Sequence, residues 1–302
     1  MLKGKNMDKK NYINGIIYGT LAFTIWGILP LYWKAVNIIN PYQIFLQRVV
    51  WSFIFIAILI IFTGKSKEFT SVLKKPKLFS KAIAPSLFIS INWLLYIWAV
   101  NNNYVIETSL GYYLNPLVLT LLGRIFLKEH LNKLQIIGIS FASIGVLLQA
   151  LFYGRIPYIA IVLAVSFAIY GLLKKTSPFE SLHGLGYETL IIGIPSVIIL
   201  SIIEGTGKGI SGNINPSFWF LIALSGIITA TPLVLYGAST RKIPLNVVGF
   251  LQYIAPTIAL FLGIFVFKEP FNSNSLISFV LIWIGLAFFS YSQYKLLKNS
   301  SN

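Results

Sequence analysis

The stretch GYYLNPLVLTLLGRIFLKE (Gly111–Glu129) decides the fold, because the chain repeats its pattern in GFLQYIAPTIALFLGIFVFKE (Gly249–Glu269). In each stretch a proline lies seven positions before a glycine, and a Lys-Glu pair ends the segment. The equivalent residues are 140 positions apart, as Pro116 and Pro256 are. Two apolar segments with the same pattern predict a duplicated structural unit.

The composition indicates a protein that resides in a lipid bilayer. Hydrophobic residues make up 56% of the 302-residue chain and charged residues only 11%, whereas a soluble domain has about 25% charged residues. The mean hydropathy is +0.78. Apolar runs of about 20 residues recur along the chain, which is the length that a helix needs to cross a hydrocarbon core about 30 Å thick. These features predict an all-α integral membrane protein rather than a β-barrel, whose strands alternate in polarity over about 10 residues.

The residue types exclude several kinds of chemistry. The chain has no cysteine, and its two histidines, His130 and His183, fall near predicted helix ends. We therefore expect no catalytic residue, no metal and no cofactor. The net charge of +16 comes from lysines in short loops between apolar spans, so we expect no nucleic-acid partner. The first apolar run follows lysines as in a signal peptide, but its span length and the lack of a cleavage site predict a retained first helix.

The apolar runs predict ten membrane-spanning helices. Prolines and short polar residues fit several of the starts, because proline is tolerated in the first turn of a helix and asparagine or serine can cap it. The predicted spans cover residues 12–33, 42–62, 79–100, 105–127, 133–152, 156–173, 183–203, 216–238, 244–267 and 273–293.

The distribution of basic residues predicts the orientation of these spans. With alternating spans, nineteen Lys and Arg residues fall on one side of the bilayer and four on the other, while Arg48 lies inside a span. Positively charged loops stay in the cytoplasm. Both termini, as tails of residues 1–11 and 295–302, are therefore predicted to be cytoplasmic, in a multi-pass protein of the cell membrane.

The duplicated unit contains five spans, in residues 12–153 and 156–294. Its first span also matches, because LAFTIWG (Leu21–Gly27) resembles VSFAIYG (Val165–Gly171). Five is an odd number, so the two units enter the membrane from opposite sides and form an inverted repeat, a common feature of secondary transporters. When two such halves exchange conformations, one cavity opens first to one side of the membrane and then to the other. Duplication for packing alone, which also occurs in channels, is the alternative.

Several long strings resemble the RarD-type permeases of the EamA family, in the drug/metabolite transporter superfamily. The resemblance covers about residues 12–294, and it implies ten helices in two EamA repeats. One departure is Gln43, where that family tends to have an acidic residue. The strings are FTIWGILPLYWK (Phe23–Lys34), RVVWSF (Arg48–Phe53), NWLLYIWAVNNN (Asn92–Asn103), ETSLGYYLNPLV (Glu107–Val118) and IFLKEHLNKLQ (Ile125–Gln135).

The resemblance implies a permease or exporter of small organic solutes in the bacterial cytoplasmic membrane. With the inverted repeat, it favours a secondary transporter that works by alternating access and is not an enzyme. The alternative is an integral-membrane enzyme or a lipid-translocating protein that uses the same central cavity. The expected partners are a small-molecule substrate and the lipid bilayer. Gly15 and Gly19 form a Gly-x-x-x-Gly motif, which allows close helix packing within the chain or, as the minority alternative, a homodimer.

Three charged residues fall inside predicted spans, where a charge costs a few kcal/mol and usually faces a cavity or a partner. They are Arg48, Glu107 and Glu188, and the first and last are 140 positions apart. We interpret them as gating or ion-coupling candidates, with Arg48 and Glu107 paired near the outer side. The alternatives are a static ion pair between helices, or side chains that extend to the headgroups.

Aromatic and amide side chains flank the two mid-span prolines. Pro116 and Pro256 each remove a backbone donor, and we expect them to break their helices and free carbonyl groups toward a cavity. Nearby amides, phenols and rings suit a cavity wall that binds a small amphipathic solute, although aromatic residues facing lipid are the alternative for each. The cavity candidates are Trp26, Trp93, Tyr96, Tyr112, Tyr113, Asn115, Gln252 and Tyr253.

Overall fold

The computed structural model describes residues 9–36, 39–102, 104–154, 156–210, 215–268 and 273–299. Every regular element in these ranges is a helix. The helices are α1 (Lys9–Ala35), α2 (Pro41–Phe62), α3 (Ser66–Leu73), α4 (Pro76–Phe79), α5 (Ile83–Asn101), α6 (Val105–Phe126), α7 (Lys133–Tyr153), α8 (Tyr158–Thr176), α9 (Ser181–Gly205), α10 (Pro216–Lys242), α11 (Leu245–Gln252), α12 (Ile254–Phe261) and α13 (Ser273–Asn299).

The ten predicted spans correspond to α1, α2, α5 to α10, the α11–α12 segment and α13. Nine helical segments of the described residues are long and apolar enough to cross a membrane, and α6 is not among them. Glu107, Asn115 and Arg124 are charged or polar residues within α6. Its 22 residues are nevertheless of spanning length, and α6 packs along α8 like the other members of the bundle.

Equivalent helices of the two halves pack against each other in opposite directions. In the pair α7 and α13, a Cβ atom added at Gly138 would lie 2.7 Å from the carbonyl oxygen of Gly285, and one added at Gly145 would lie 2.7 Å from that of Ser278. Residue numbers rise along one helix as they fall along the other, so the two helices are antiparallel. Glycine allows this close approach because it has no side chain. The structure therefore contains two inverted five-helix repeats.

The halves are also interlocked through their first spans. The α1 helix packs on α10, α11 and α12, and the equivalent α8 packs on α5 and α6, so each first span lies on the third and fourth spans of the opposite half. A Cβ atom at Gly15 would lie 2.6 Å from Ile243, and one at Gly19 would lie 2.8 Å from Leu251. The Gly-x-x-x-Gly motif is thus used within the chain, and a homodimer would need a different surface.

Proline affects the two equivalent fourth spans differently. The α11–α12 segment is interrupted at Tyr253, and it ends in a π-helical turn over Leu262–Val266. Pro256 accounts for the interruption, because its ring clashes with the carbonyl group four residues earlier, that of Gln252. The expected break at Pro116 is not observed, since α6 continues through this residue.

The short helix α3 was not predicted from the sequence, because its eight residues are too few for a span. It is amphipathic and docks on the start of α9, where the ring of Phe69 stacks on Tyr187 at 4.5 Å. The Tyr187 hydroxyl donates to the carbonyl oxygen of Phe69 at 3.0 Å. At the surface beside α3, Lys65 forms an ion pair with Glu180. The hydrogen bond from Lys65 lowers the pKa of Glu180 below its ordinary value.

Replacement of Gly226 by alanine tests the close packing of α10 on α2. An added Cβ atom would overlap the backbone of Trp51, so one helix must shift. We expect Gly226→Ala to destabilise the protein by about 1–3 kcal/mol, the usual effect of overpacking. The matched control is Gly193→Ala in α9, because nothing lies within 4 Å of a Cβ atom there. Thermal unfolding in detergent would measure both variants, and equal melting temperatures would contradict this account of the contact.

Candidate functional site

The duplicated Phe-x-x-aromatic-Gly motif brings its two copies together at the centre of the bundle. The ring centroid of Trp26 lies 5.8 Å from that of Tyr236 and 5.9 Å from that of Phe167. Tyr170 stacks on Tyr236 with centroids 6.2 Å apart and an interplanar angle of 11°. We call Phe23, Trp26, Phe167, Tyr170 and Tyr236 the central aromatic cluster. Trp26, a cavity candidate, is therefore packed between the two halves in this conformation.

Arg48 lies on α2 against three aromatic rings. Its guanidinium carbon is 4.3 Å from the ring centroid of Trp93, 5.4 Å from that of Phe45 and 5.7 Å from that of Trp33. Such contacts stabilise a cation through the ring quadrupole, but they supply no hydrogen-bond acceptor. The Nε atom of Arg48 is buried and has no hydrogen-bond partner.

Two phenol groups complete the surroundings of Arg48. The rings of Tyr96 and Tyr112 lie 5.8 Å apart, and both phenols are close enough to interact electrostatically with the guanidinium. Tyr112 is 53% exposed and lies at the surface of the helix bundle. We call Trp33, Phe45, Arg48, Trp93, Tyr96 and Tyr112 the arginine cluster. Four of its members, Arg48, Trp93, Tyr96 and Tyr112, were predicted from the sequence, and the structure brings them together.

Glu188 lies at the equivalent position of the second half and belongs to a buried ion pair. Its Oε1 atom accepts a hydrogen bond from Nζ of Lys174 at 2.8 Å, and its Oε2 atom accepts one from the Tyr170 hydroxyl at 2.9 Å. The Glu188 residue is 2% exposed and Lys174 is 3% exposed. We call Tyr170, Lys174 and Glu188 the glutamate cluster. Each charge in this cluster is neutralised inside the protein.

The arginine and glutamate clusters are related by the repeat. The equivalent positions are 140 residues apart, and they pair Arg48 with Glu188, Tyr96 with Tyr236, and Tyr112 with Gln252. The repeat therefore places groups of opposite charge at matching places in the two halves.

The predicted pairing of Arg48 with Glu107 is not observed. Glu107 is 3% exposed, and its Oε2 atom accepts a hydrogen bond from the backbone nitrogen of Ile159 at 3.0 Å, in the first turn of α8. In the described part of the chain, no ion pair joins Glu107 to Arg48. A carboxylate satisfies unpaired N–H groups at a helix N-terminus and favours the helix dipole, so Glu107 stabilises the start of α8.

The other candidates on the fourth spans connect helices. Asn115 donates through Nδ2 to the carbonyl oxygen of Ala164 at 2.9 Å, whereas its Oδ1 atom is buried without a partner. The Tyr253 hydroxyl donates to the carbonyl oxygen of Tyr113 at 3.2 Å, in the turn before the α6 proline. Gln252 is buried, and its Nε2 atom has no hydrogen-bond partner. Tyr113, Asn115, Gln252 and Tyr253 are all buried, whereas Tyr112 is exposed.

The repeated Lys-Glu pair has a structural role that was not predicted. Lys128 has a positive φ of 53°, and its counterpart Lys268 has one of 54°. This turn directs Glu129 at the N-terminus of α11, where its carboxylate accepts from the backbone nitrogens of Leu245 at 2.7 Å and Asn246 at 3.0 Å. A Cβ atom at Gly123 would lie 2.8 Å from the same carboxylate, which explains the glycine of the motif. The equivalent Glu269 lies outside the described residues.

Sequence reasoning also missed Lys174, Tyr170, Trp33 and Phe45. Lys174 was counted among the loop charges, yet it lies one helical turn after Tyr170 on the same helix. Tyr170 belongs to the duplicated aromatic motif itself. Trp33 and Phe45 gave no signal beyond being aromatic.

The fold and its charged clusters define the class: a polytopic membrane protein of two inverted five-helix repeats with a polar and aromatic interior. The chain belongs to the EamA-like transporter family, which matches residues 13–151 and 155–291, and it is a RarD-type permease of that family. It is thus a membrane transporter of the drug/metabolite class.

Several curated relatives resemble the chain over nearly its whole length. "Uncharacterized transporter YojE" of Bacillus subtilis is 44% identical over 93% of this chain and 95% of its own. "Protein RarD" of Escherichia coli is 36% identical over 94% and 96%. "Chloramphenicol-sensitive protein RarD" of Pseudomonas aeruginosa is 25% identical over 95% and 97%. A solved crystal structure, 19% identical, matches with a TM-score of 0.69 over 93% of this chain and 98% of its own, which shows likeness of fold.

A double-mutant cycle tests the buried ion pair of the glutamate cluster. Glu188→Gln leaves the Lys174 ammonium group buried without a counter-ion, so we expect a loss of about 3–5 kcal/mol of unfolding free energy. The double variant Glu188→Gln, Lys174→Met removes both charges and should recover most of that loss. Unfolding of the purified protein in mixed micelles with increasing denaturing detergent would measure these values.

The control for this cycle is the exposed ion pair between Lys65 and Glu180. Lys65→Ala should leave stability almost unchanged, because water solvates exposed charges well and screens their attraction. A double variant as unstable as Glu188→Gln alone would contradict the assignment of Lys174 as the counter-ion.

Proposed function

We propose that this chain is a secondary transporter that exports small organic solutes across the cytoplasmic membrane by alternating access. The observation that carries the proposal is the interlocking of the two halves. Two equivalent groups of helices result: α1 with α10, α11 and α12, and α8 with α5 and α6. Because each group contains spans from both halves, rocking of one group against the other changes access on both sides of the bilayer at once.

The central aromatic cluster lies where these two groups meet. Trp26 and Tyr236 belong to the α1 group, whereas Phe167 and Tyr170 belong to the α8 group. Stacked and edge-to-face rings form a contact that can separate and form again, and it excludes water while it is closed. We assign this cluster the role of the barrier at the middle of the pathway.

Unpaired polar atoms near the barrier support a pathway that becomes hydrated. The Oδ1 atom of Asn115, the hydroxyl of Tyr236 and Nε2 of Gln252 are all buried without hydrogen-bond partners. A buried polar atom without a partner costs about 1–3 kcal/mol. Opening of the cavity would supply water or solute to these atoms. The free-energy cost of burying them unpaired therefore favours departure from the closed conformation.

Orientation follows from the basic residues. Nineteen of the 24 Lys and Arg residues fall on the side that holds both termini, which supports a cytoplasmic location for the two tails. In this orientation the arginine cluster belongs to the outer half of the bilayer and the glutamate cluster to the cytoplasmic half. Lys133 and Lys298 would then face the cytoplasm and Lys208 the outside.

Single-cysteine labelling tests this orientation, and the cysteine-free chain needs no prior substitution. Lys133, Lys208 and Lys298 are all exposed. We expect a membrane-impermeant maleimide to label Lys208→Cys in intact cells, and to label Lys133→Cys and Lys298→Cys only after the membrane is opened. Labelling of Lys133→Cys and Lys208→Cys from the same side would contradict the inverted arrangement of the halves in the membrane.

Solute flux tests the transport function. Compounds whose amounts in the medium depend on the gene would be found by comparing metabolites inside and outside cells with and without it. Purified protein in liposomes should then move those compounds across the bilayer unchanged. Chemical alteration of the solute would indicate an enzyme instead, and movement of labelled phospholipids between leaflets would indicate a lipid translocator.

A further inference from the structure

We propose that the arginine cluster binds the carboxylate group of a planar aromatic acid, and that such organic anions are the substrate class of the transporter. This inference rests on the proposed transport function. It starts from Arg48, a cation to which the described residues supply neither a counter-ion nor a hydrogen-bond acceptor.

The Arg48 guanidinium group has unused donors. Arginine carries five N–H donors in a rigid fork that matches a carboxylate. Among the described residues, no side chain or backbone oxygen accepts a hydrogen bond from the Arg48 guanidinium, and its buried Nε atom has no partner. The charged or polar groups that interact with it electrostatically are the phenols of Tyr32, Tyr96 and Tyr112, not carboxylates.

The equivalent position in the second half shows what this fold does with a charge that has a structural purpose. Glu188 is neutralised by Lys174 at 2.8 Å and accepts a second hydrogen bond from Tyr170. The first spans of the two halves match at an offset of 144 residues, so the position of Lys174 corresponds to the uncharged Pro30 in the first half. Neutralisation is thus built into one half and lacking in the other, so the missing anion of the arginine cluster is expected to come from a ligand.

The walls of the cluster favour a flat, apolar body attached to the anion. The Trp93 ring lies under the guanidinium, with its centroid 4.3 Å from the guanidinium carbon. Tyr112 is 53% exposed and stands edge-on to Tyr96, so part of its ring is left uncovered by the protein. Aromatic faces and edges bind a second ring through stacking and edge-to-face contacts.

The charge of the cluster favours a carboxylate over a phosphate. Arg48 is the only cation among the described groups of the cluster, and the groups that act on it are neutral phenols. A phosphate monoester carries up to two negative charges at neutral pH. A single arginine fork neutralises one carboxylate through two parallel hydrogen bonds.

Binding of three indole compounds to the purified full-length protein tests the proposal. Indole-3-acetate is an anion, indole-3-acetamide is its neutral counterpart, and tryptamine is a cation, while all three share the same ring. We expect isothermal titration calorimetry to show that indole-3-acetate binds at least tenfold more tightly than either of the others. This comparison uses the wild-type protein and does not depend on the folding of any variant.

Substitution of Arg48 assigns the preference to this side chain. Arg48→Gln should reduce the ratio of the two dissociation constants, amide over acetate, to near one, and Arg48→Lys should keep part of the preference. Lys34→Gln is the matched control, because it removes an exposed cation that lies outside the cluster, and it should keep the wild-type ratio.

Several results would overturn the proposal. They are binding of the amide or the amine as tightly as the acetate, an unchanged ratio in Arg48→Gln, or failure of the wild-type protein to bind any of the three at millimolar concentration. The flux assay in liposomes separates this failure from that of the transport function. If the Arg48→Gln variant moves neutral solutes at the wild-type rate, the protein is a transporter of another substrate class.

Discussion

The interior of this protein depends on one constraint: a charge or backbone polar group inside a bilayer must find its partner in the protein, in a water-filled cavity or in a bound ligand. Hydrocarbon offers no hydrogen bonds, so each unsatisfied group costs several kcal/mol. The described acidic residues within the spans follow this rule. The Glu107 carboxylate accepts a hydrogen bond from a backbone N–H at the start of α8, and the Glu188 carboxylate accepts hydrogen bonds from Lys174 and Tyr170. Glu129, at the end of the fourth span, accepts hydrogen bonds from two backbone N–H groups of α11.

The same constraint explains why the chain repeats a short motif rather than only a pattern of hydrophobicity. A fourth span that ends in Lys-Glu places a carboxylate at the N-terminus of its own counterpart, where unpaired N–H groups need an acceptor. That contact requires the left-handed turn at Lys128 and the absence of a side chain at Gly123. In the first half the motif thus makes a contact with the second half, so its role cannot be understood from one half alone.

The sequence predicted the fold well because the length and apolar character of a span are properties of a single segment. The ten spans, their pairing into halves and the break near Pro256 all follow from such local properties.

The partners of buried charges depend on which helices meet, and this is where prediction failed. Arg48 and Glu107 were expected to pair because both lie toward one end of their spans, yet α6 turns Glu107 toward α8. Tyr170 and Lys174 were missed because each looked like an ordinary aromatic or loop residue. The short helix α3 was missed because a segment below spanning length carries no membrane signal.

The difference between the two charged clusters bears on how a symmetric fold can carry out a directed process. Two halves with the same backbone would give two open states of similar energy, but their side chains break this equality. The glutamate cluster satisfies its charges internally, so under the proposed mechanism closure around it would require nothing from outside. The guanidinium of the arginine cluster has no acceptor among the described residues, so under the proposed mechanism closure around it without an anion would remove water that nothing replaces. An aromatic carboxylate bound to Arg48 would supply that acceptor and lower the cost of closing. Under the proposed mechanism, the substrate itself would then permit the transition, because it stabilises the closed state more than the open one.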